Sequence, residues 1–391
     1  MQQKPIHQPP THQKQGTDYS RIVQTGPGTI GGRYLRSFWQ PIARAEDIRA
    51  GRAKPLQVMS EPFTLYRGEN GVAQVLAPYC AHRGTLLSTG WVEGDALRCF
   101  YHGWKYGPDG HCVEAPAERD GFCTTVSIRS YPTREYLGLI FAYLGEGAAP
   151  PFPRYRDLED DGVRETSSYR RDCNFFNNLE NQCDPVHVAF AHRTSAFTEG
   201  GLIGVPHVTA EETDWGLALT AQRPGGGVRV TQFGMPSMIH IKSSPTGPNG
   251  NWSDMVAWRV PIDDVSHNSF NIHLHHLTGA AAERFRERQA QKPRDTRSVA
   301  ELGAAVRRGE IHIEELKDHP DIVGIQDDVA QLGQGIIADR ENEYLGRSDV
   351  GIVLLRRIWL RELDALAAGK PTKAWHWSSG LDATVGVTAH A

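Results

Sequence analysis

The chain has 391 residues, 39% hydrophobic and 23% charged, with 42 Lys plus Arg against 46 Asp plus Glu. That suffices for about two domains, and a net charge of −4 excludes a general nucleic-acid surface. No apolar run is long enough to span a membrane, no secretory signal opens the chain, and six cysteines are too few for a disulfide scaffold. The expectation is a cytoplasmic protein with neither membrane nor nucleic acid as partner.

In chain order, residues 1–28 are polar, broken by Pro and Gly, and read as a flexible arm. Tyr34 to Ala43 is apolar and aromatic, a short helix or a first strand. From Leu56 to Leu144 short apolar runs alternate with Gly, Pro and Asp turns, the pattern of a small β-barrel or sandwich. The Pro-rich stretch Ala149 to Pro153 divides the chain into domains 29–150 and 151–391. Asp172 to His192 then shows helical spacing, and strands return between Val205 and Thr278. Residues 280–319 are charged and helix-prone, and two helices are expected over roughly 325–345 and 349–368. The second domain reads as α+β, one antiparallel sheet with several helices.

Two short boxes carry metal-ligand chemistry. Cys80-Ala81-His82 is followed, sixteen residues later, by Cys99-Phe100-Tyr101-His102, each box ending a β-run and trailed by Gly84 or Gly103. Thiolates suit iron–sulfur centres or zinc, and imidazole suits zinc or iron. Zinc fingers pair cysteine with cysteine and histidine with histidine. Here each box offers one of each, so two cysteines can hold one iron and two histidines the other, the ligand set of a Rieske [2Fe–2S] centre. Cys112, Cys123, Cys173 and Cys183 have no ligand spacing and read as small buried hydrophobes.

A second dense stretch runs from Asn178 to His192 with the core Asp184-x-x-His187-x-x-x-x-His192. Residues 184 and 187 share a helix face. Five residues separate the histidines, about 140° around an ideal helix, so both meet one metal only where the helix ends or breaks. Pro185 supplies a reason for such a break. Alone, the pair is weak evidence for a metal and reads more readily as two ordinary histidines on a helix.

The two boxes closely resemble the Rieske family. Their company with the Asp184–His192 stretch resembles the oxygenase α subunits of multicomponent Rieske non-haem iron systems, phthalate dioxygenase-like, over most of the chain. Respiratory Rieske proteins carry an additional cysteine in each box, where this chain has Thr85 and Tyr101. The resemblance implies an α+β architecture, an N-terminal all-β Rieske domain joined to a helix-grip catalytic domain with an antiparallel sheet. It implies a [2Fe–2S] cluster on Cys80, His82, Cys99 and His102, and a mononuclear Fe(II) on His187, His192 and a distant carboxylate. In Gly324-Ile325-Gln326-Asp327-Asp328 the match selects Asp327, with Asp328 as the alternative. Acids near a helix N-terminus also suit the helix dipole without any metal.

The resemblance further implies that Asp184 bridges His187 to His82 or His102 of the next subunit in a homotrimer, and that Asn178 and Asn181 lie near the iron. Electrons from NAD(P)H would arrive through a flavin and iron–sulfur reductase, with or without a ferredoxin. O2 would hydroxylate or cis-dihydroxylate a small aromatic, carboxylate-bearing substrate. O- or N-demethylation is the alternative on the same scaffold, and an electron carrier with an inert second domain the alternative outside it. Lys242 and Arg259 could face a carboxylate, and His240, His273 and His275 are further polar strand positions. Arg307-Arg308 and Arg356-Arg357 read as solvated helix faces.

Overall fold

The computed structural model describes residues 17–195, 204–225, 227–243, 253–291 and 297–376. The N-terminal part is all-β, three small antiparallel sheets. Trp39–Arg44 and Thr133–Tyr136 flank Leu139–Tyr143, a strand buried along its whole length. Arg52–Val58, Glu61–Arg67, Ala73–Leu76 and Ser130–Tyr131 form the second sheet. Trp91–Glu93, Ala96–Arg98, Lys105–Tyr106 and Cys112–Glu114 form the third, which carries the second Cys/His box at one hairpin tip. The Tyr34 to Ala43 segment contains both expected elements, the helix Ile30–Arg36 and the start of the strand Trp39–Arg44.

The C-terminal part is built on one antiparallel seven-stranded sheet. Its order is Val163–Arg171, Ser266–His275, Ser253–Asp263, Met238–Ser243, Val228–Gly234, Gly216–Gln222, His207–Glu212. Alternation gives the sheet two different faces. On one, Val256, Trp258, Phe270 and Ile272 are buried, with Trp258 edge-on to Phe141 at 5.6 Å, so this face seats the N-terminal sheets. The other is gripped by helices Phe175–Gln182 and Val350–Ala367, whose Phe176 and Trp359 rings meet at 5.5 Å. Each buried aromatic contributes roughly 1.5–3 kcal/mol relative to exposure, which makes this seam a main source of cohesion.

Three expectations are corrected. Residues 1–16 lie outside the described residues, but from Ser20 the expected arm is docked: Ser20–Val23 makes one helical turn, Ile22 is fully buried, and the Thr25 N–H and hydroxyl both donate to Asp264 Oδ1 at 2.7 and 2.8 Å. Of the two late helices, one ends at Gly333 rather than near 345, because the chain reverses through Gly335 at φ +98°, a left-handed conformation that favours glycine. The other spans Val350–Ala367, as expected, but Arg356 on it is buried between Glu180 and Glu343 instead of solvated. The charged region forms helices Gly279–Ala290 and Val299–Arg307, the latter opened by a Ser298/Glu301 capping box. Among the described residues no helix is long and apolar enough to cross a membrane.

Candidate metal centres and the cavity between sheet and helices

The two Cys/His boxes fold alike. In each, the glycine four residues past the cysteine donates its N–H to the cysteine carbonyl, Gly84 to Cys80 at 2.9 Å and Gly103 to Cys99 at 3.1 Å. Both glycines have φ above +70°, which closes the turn without a Cβ penalty. The turns place Cys80 and Cys99 inside, at 3% and 1% exposure, and leave His82 and His102 at the surface. The two imidazoles approach to 4.5 Å between ring centroids, and His82 stacks on Trp104 at 4.5 Å with planes 7° apart. Burial raises the Cys99 thiol above its usual range, with Cys80 beside it adding to the rise. The Tyr106 hydroxyl lies 3.2 Å from Cys80 Sγ and accepts the Ala81 N–H. The donor chemistry is split, two sulfurs within and two nitrogens at the rim, and fits a cluster with one thiolate-held and one imidazole-held iron. Cys112 and Cys123 lie elsewhere, their sulfurs 3.4 Å apart.

The second stretch breaks where Pro185 requires it. Helix Phe175–Gln182 stops two residues before Asp184, whose αR conformation the proline disfavours. The chain then turns, and a short helix, His187–Ala191, begins with one histidine and is capped by the other. The 140° problem disappears because His192 lies beyond the helix end, at φ −102° and ψ 17°.

Helix Ile322–Gly333 brings in the third group. Asp327 Oδ1 lies 3.4 Å from His192 Nε2 and 4.0 Å from His187 Nε2. One ligand atom from each of the three residues falls within 4.8 Å of the others, and this is the metal-competent cluster of three such groups among the described residues. Asp328, about 100° further round the helix, points away to Arg307 and Arg171. The set matches a two-His-one-carboxylate face with positions left open.

Neighbours fix the tautomer that leaves both Nε2 atoms available to a metal. His187 Nδ1–H donates to the main-chain oxygen of Asp184, and His192 Nδ1–H to Gln326 Oε1 at 2.8 Å. A carbonyl oxygen accepts only, so both protons sit on Nδ1 and both Nε2 lone pairs face Asp327. The Gln326 amide is fixed in turn by donating to Thr194 Oγ1 at 2.9 Å. Asn181 donates to Asp327 Oδ1 at 3.2 Å. Burial lowers His187; at His192 burial opposes, but the Asp327 carboxylate outweighs it and holds the ring above its usual value. Burial would raise Asp327, yet His192 and Arg171 keep it low and ionised.

The Asp184 carboxylate accepts the Val186 N–H at 2.9 Å, so within one chain its link to His187 is through the backbone. Asn178 lies deeper than expected, bonded to His267 and Arg259 and not to the triad. His240 belongs to the opposite sheet face, with Asp254 Oδ1 at 2.7 Å, whereas Lys242, near the end of the same strand, lines the cavity described below, as expected.

A cavity of about 980 Å³ opens on the triad. Its sheet wall carries Arg229, Thr231, Met255, Arg259, Asn271 and His273. Arg259 and His273 were legible as strand polar positions; Arg171, Arg229 and Gln326 were missed. Strand alternation marks which of them share a face, but only the sheet's register marks which face is hollow.

Comparison with known proteins bears on this geometry. The family model for the Rieske [2Fe-2S] domain matches residues 38–132. Over 387 residues the chain is 31% identical to the phenoxybenzoate dioxygenase subunit alpha of Ectopseudomonas oleovorans, covering 92% of this chain and 88% of that one. The chain belongs to the Rieske non-haem iron oxygenases. It is also 29% identical, over 90% of its length and 81% of the relative's, to the 5,5'-dehydrodivanillate O-demethylase oxygenase subunit of Sphingobium sp.. The fluorene-bound oxygenase–ferredoxin complex of carbazole 1,9a-dioxygenase shares the fold at a TM-score of 0.61 and 20% identity, over 82% of this chain and 89% of that one. This Rieske oxygenase subunit is an oxidoreductase that uses a [2Fe–2S] cluster, a mononuclear iron and O2.

Proposed function

We propose that Cys80 and Cys99 hold one iron of the cluster, His82 and His102 the other, and that His187, His192 and Asp327 hold the mononuclear iron. On this reading residues 29–150 are the Rieske domain and 151–391 the catalytic domain. The carrying observation is the convergence of three donor atoms within 4.8 Å on the wall of a cavity large enough for a small aromatic molecule. When bound, the mononuclear iron supplies O2 activation, with electrons drawn from NAD(P)H through a reductase. The chain's own part is positional. Asp184 and Gln326 keep the Nδ1 protons in place, and Asn181 orients the Asp327 carboxylate.

The redox partner is a flavin and iron–sulfur reductase, acting directly or through a ferredoxin. The assembly is a homotrimer. Exposed Tyr79, Trp91, Phe100 and Tyr101 surround the Rieske histidines, while exposed Phe190, Ile336, Ile337 and Tyr344 belong to the segments around the triad. Two different apolar patches on one chain suit a heterologous head-to-tail contact that closes into a ring. In that ring Asp184 lies between His187 and the Rieske histidines of the next copy.

The test is metal analysis followed by oxygen uptake with reductase, NADH and an aromatic panel. About three irons and two sulfides per chain, a rhombic EPR signal on reduction, and substrate-dependent uptake are expected. About two irons and no uptake would identify an electron carrier instead. Product mass separates dihydroxylation from demethylation, the reaction named for the Sphingobium relative.

Acid is expected to release the mononuclear iron before the cluster. His192, held above its usual value, gains a proton first as pH falls, and His187, held below it, follows. Proton competition weakens metal affinity by roughly tenfold per pH unit for each ligand that titrates. Dialysis near pH 5 should therefore remove about one iron per chain while the visible spectrum persists; retention of every iron contradicts the ligand set.

A further inference from the structure

The cavity face of the sheet holds two arginines without an ion pair among the described residues. Arg229 lines the cavity, and no described hydrogen bond or ion pair engages its guanidinium. Arg223 is 4% exposed, and all three of its guanidinium nitrogens are buried without a hydrogen-bond partner. Ala221 pairs with Arg229 across the hairpin, so residues 221, 223 and 229 lie on one face of the sheet. Burial depresses Arg229 to about 10, with Arg223 beside it adding to the fall, and burial depresses Arg223 as well.

The cavity's other arginines are committed, Arg170 to Asp172 among them. Arg171 is held by Gln331 and Asp328, and Arg259 by Asn178 and Asn271. Of the cavity's acids, Asp328 is paired with arginines, Asp327 faces the two histidines, Asp184 caps a backbone N–H, and Asp321 is exposed at the rim with no described ion pair to either arginine. Buried charges are normally paired, and an unpaired buried guanidinium is costly. Two side by side are the expected state of a site built for an anion. Arg229 lines the same cavity as His187, His192 and Asp327, which places the anion site and the metal triad in one chamber.

We propose that Arg229, backed by Arg223, forms the subsite that binds the carboxylate of an aromatic acid substrate and so sets which part of the ring faces His187, His192 and Asp327. This rests on the oxygenase reading above and adds the substrate class and the residues that select it. A planar guanidinium matches a carboxylate bidentately, and an amide or ester of the same ring forfeits the charge.

The experiment compares binding of benzoate, phthalate and 3-phenoxybenzoate with that of their primary amides, by calorimetry on the iron-loaded protein. At least one acid should bind more than about tenfold tighter than its amide. Arg229→Gln should lose that preference, falling roughly 10–100-fold for the acid and little for the amide, and Arg223→Gln should lose part of it. Folding is checked by Tm and the cluster spectrum. Because the substitution removes an unpaired, half-buried charge, the ligand-free Tm of Arg229→Gln should not fall, and the acid should raise Tm in the wild type only. Equal binding of acids and amides, an unchanged preference in Arg229→Gln, or a stabilisation by acetate equal to that by the aromatic acid would each overturn the proposal. Oxygen uptake driven only by neutral aromatics would overturn it while leaving the oxygenase reading intact; no uptake with any aromatic would remove the reading itself.

Discussion

Asp327→Ala is expected to leave a protein that is still brown, still reducible by its reductase, and without turnover. The carboxylate is the group on which both Nε2 atoms converge, at 3.4 and 4.0 Å, and Asn181 is committed to orienting it. Without it the two histidines cannot close a facial set, and bound iron should fall by about one per chain. The loss of product formation should exceed the roughly 10–100-fold typical of losing an outer partner. Asp328→Ala is the control. It strips Arg171, whose side chain is 2% exposed, of its carboxylate and should cost about 3–5 kcal/mol of stability while sparing the bound metal. Metal analysis and thermal denaturation of the two variants separate the roles. A turnover-competent Asp327→Ala, or loss of iron only from Asp328→Ala, would reverse the assignment.

Glu180→Ala should be among the most destabilising single substitutions in the catalytic part. Glu180 is 5% exposed and accepts from Arg340 Nη2 at 2.8 Å and from Arg356 Nε at 2.6 Å, both arginines being buried as well. It ties helix Phe175–Gln182 to the segment after Gly333 and to helix Val350–Ala367. Removing one partner of a buried ion network leaves the others uncompensated, at a cost of about 3–5 kcal/mol. Since the same helix leads directly to His187, iron retention should fall alongside Tm. Glu180→Gln keeps the shape and an acceptor oxygen and should lose less. A Tm unchanged in Glu180→Ala would show that water or rearrangement satisfies the arginines.

These results bear on what can be read from residues in order. The cluster boxes are legible because each is local: cysteine, histidine and turn glycine fall within five positions, and the turn itself puts sulfur inside and imidazole outside. The His187–His192 pair is legible for a related reason, since Pro185 announces the break that its spacing needs. The third ligand is harder. Asp327 and Asp328 are neighbours in sequence and opposites in space, and only packing decides which face of the helix meets the histidines. Arg356 shows the converse error: its doublet with Arg357 reads as solvated, but Arg356 itself is buried between two glutamates.

Local chemistry thus determined the family, the two Cys/His turns and the broken helix, because those depend on contacts a few residues apart. The tertiary structure alone decided that Asp327 and not Asp328 lies with the two histidines, that Gln326 sets the tautomer of His192, and that Arg229 lines the cavity without an ion pair among the described residues. Those outcomes depend on register across seven strands and on helices brought together from 140 positions away. Such relations are energetic consequences of burial, and no single segment contains them.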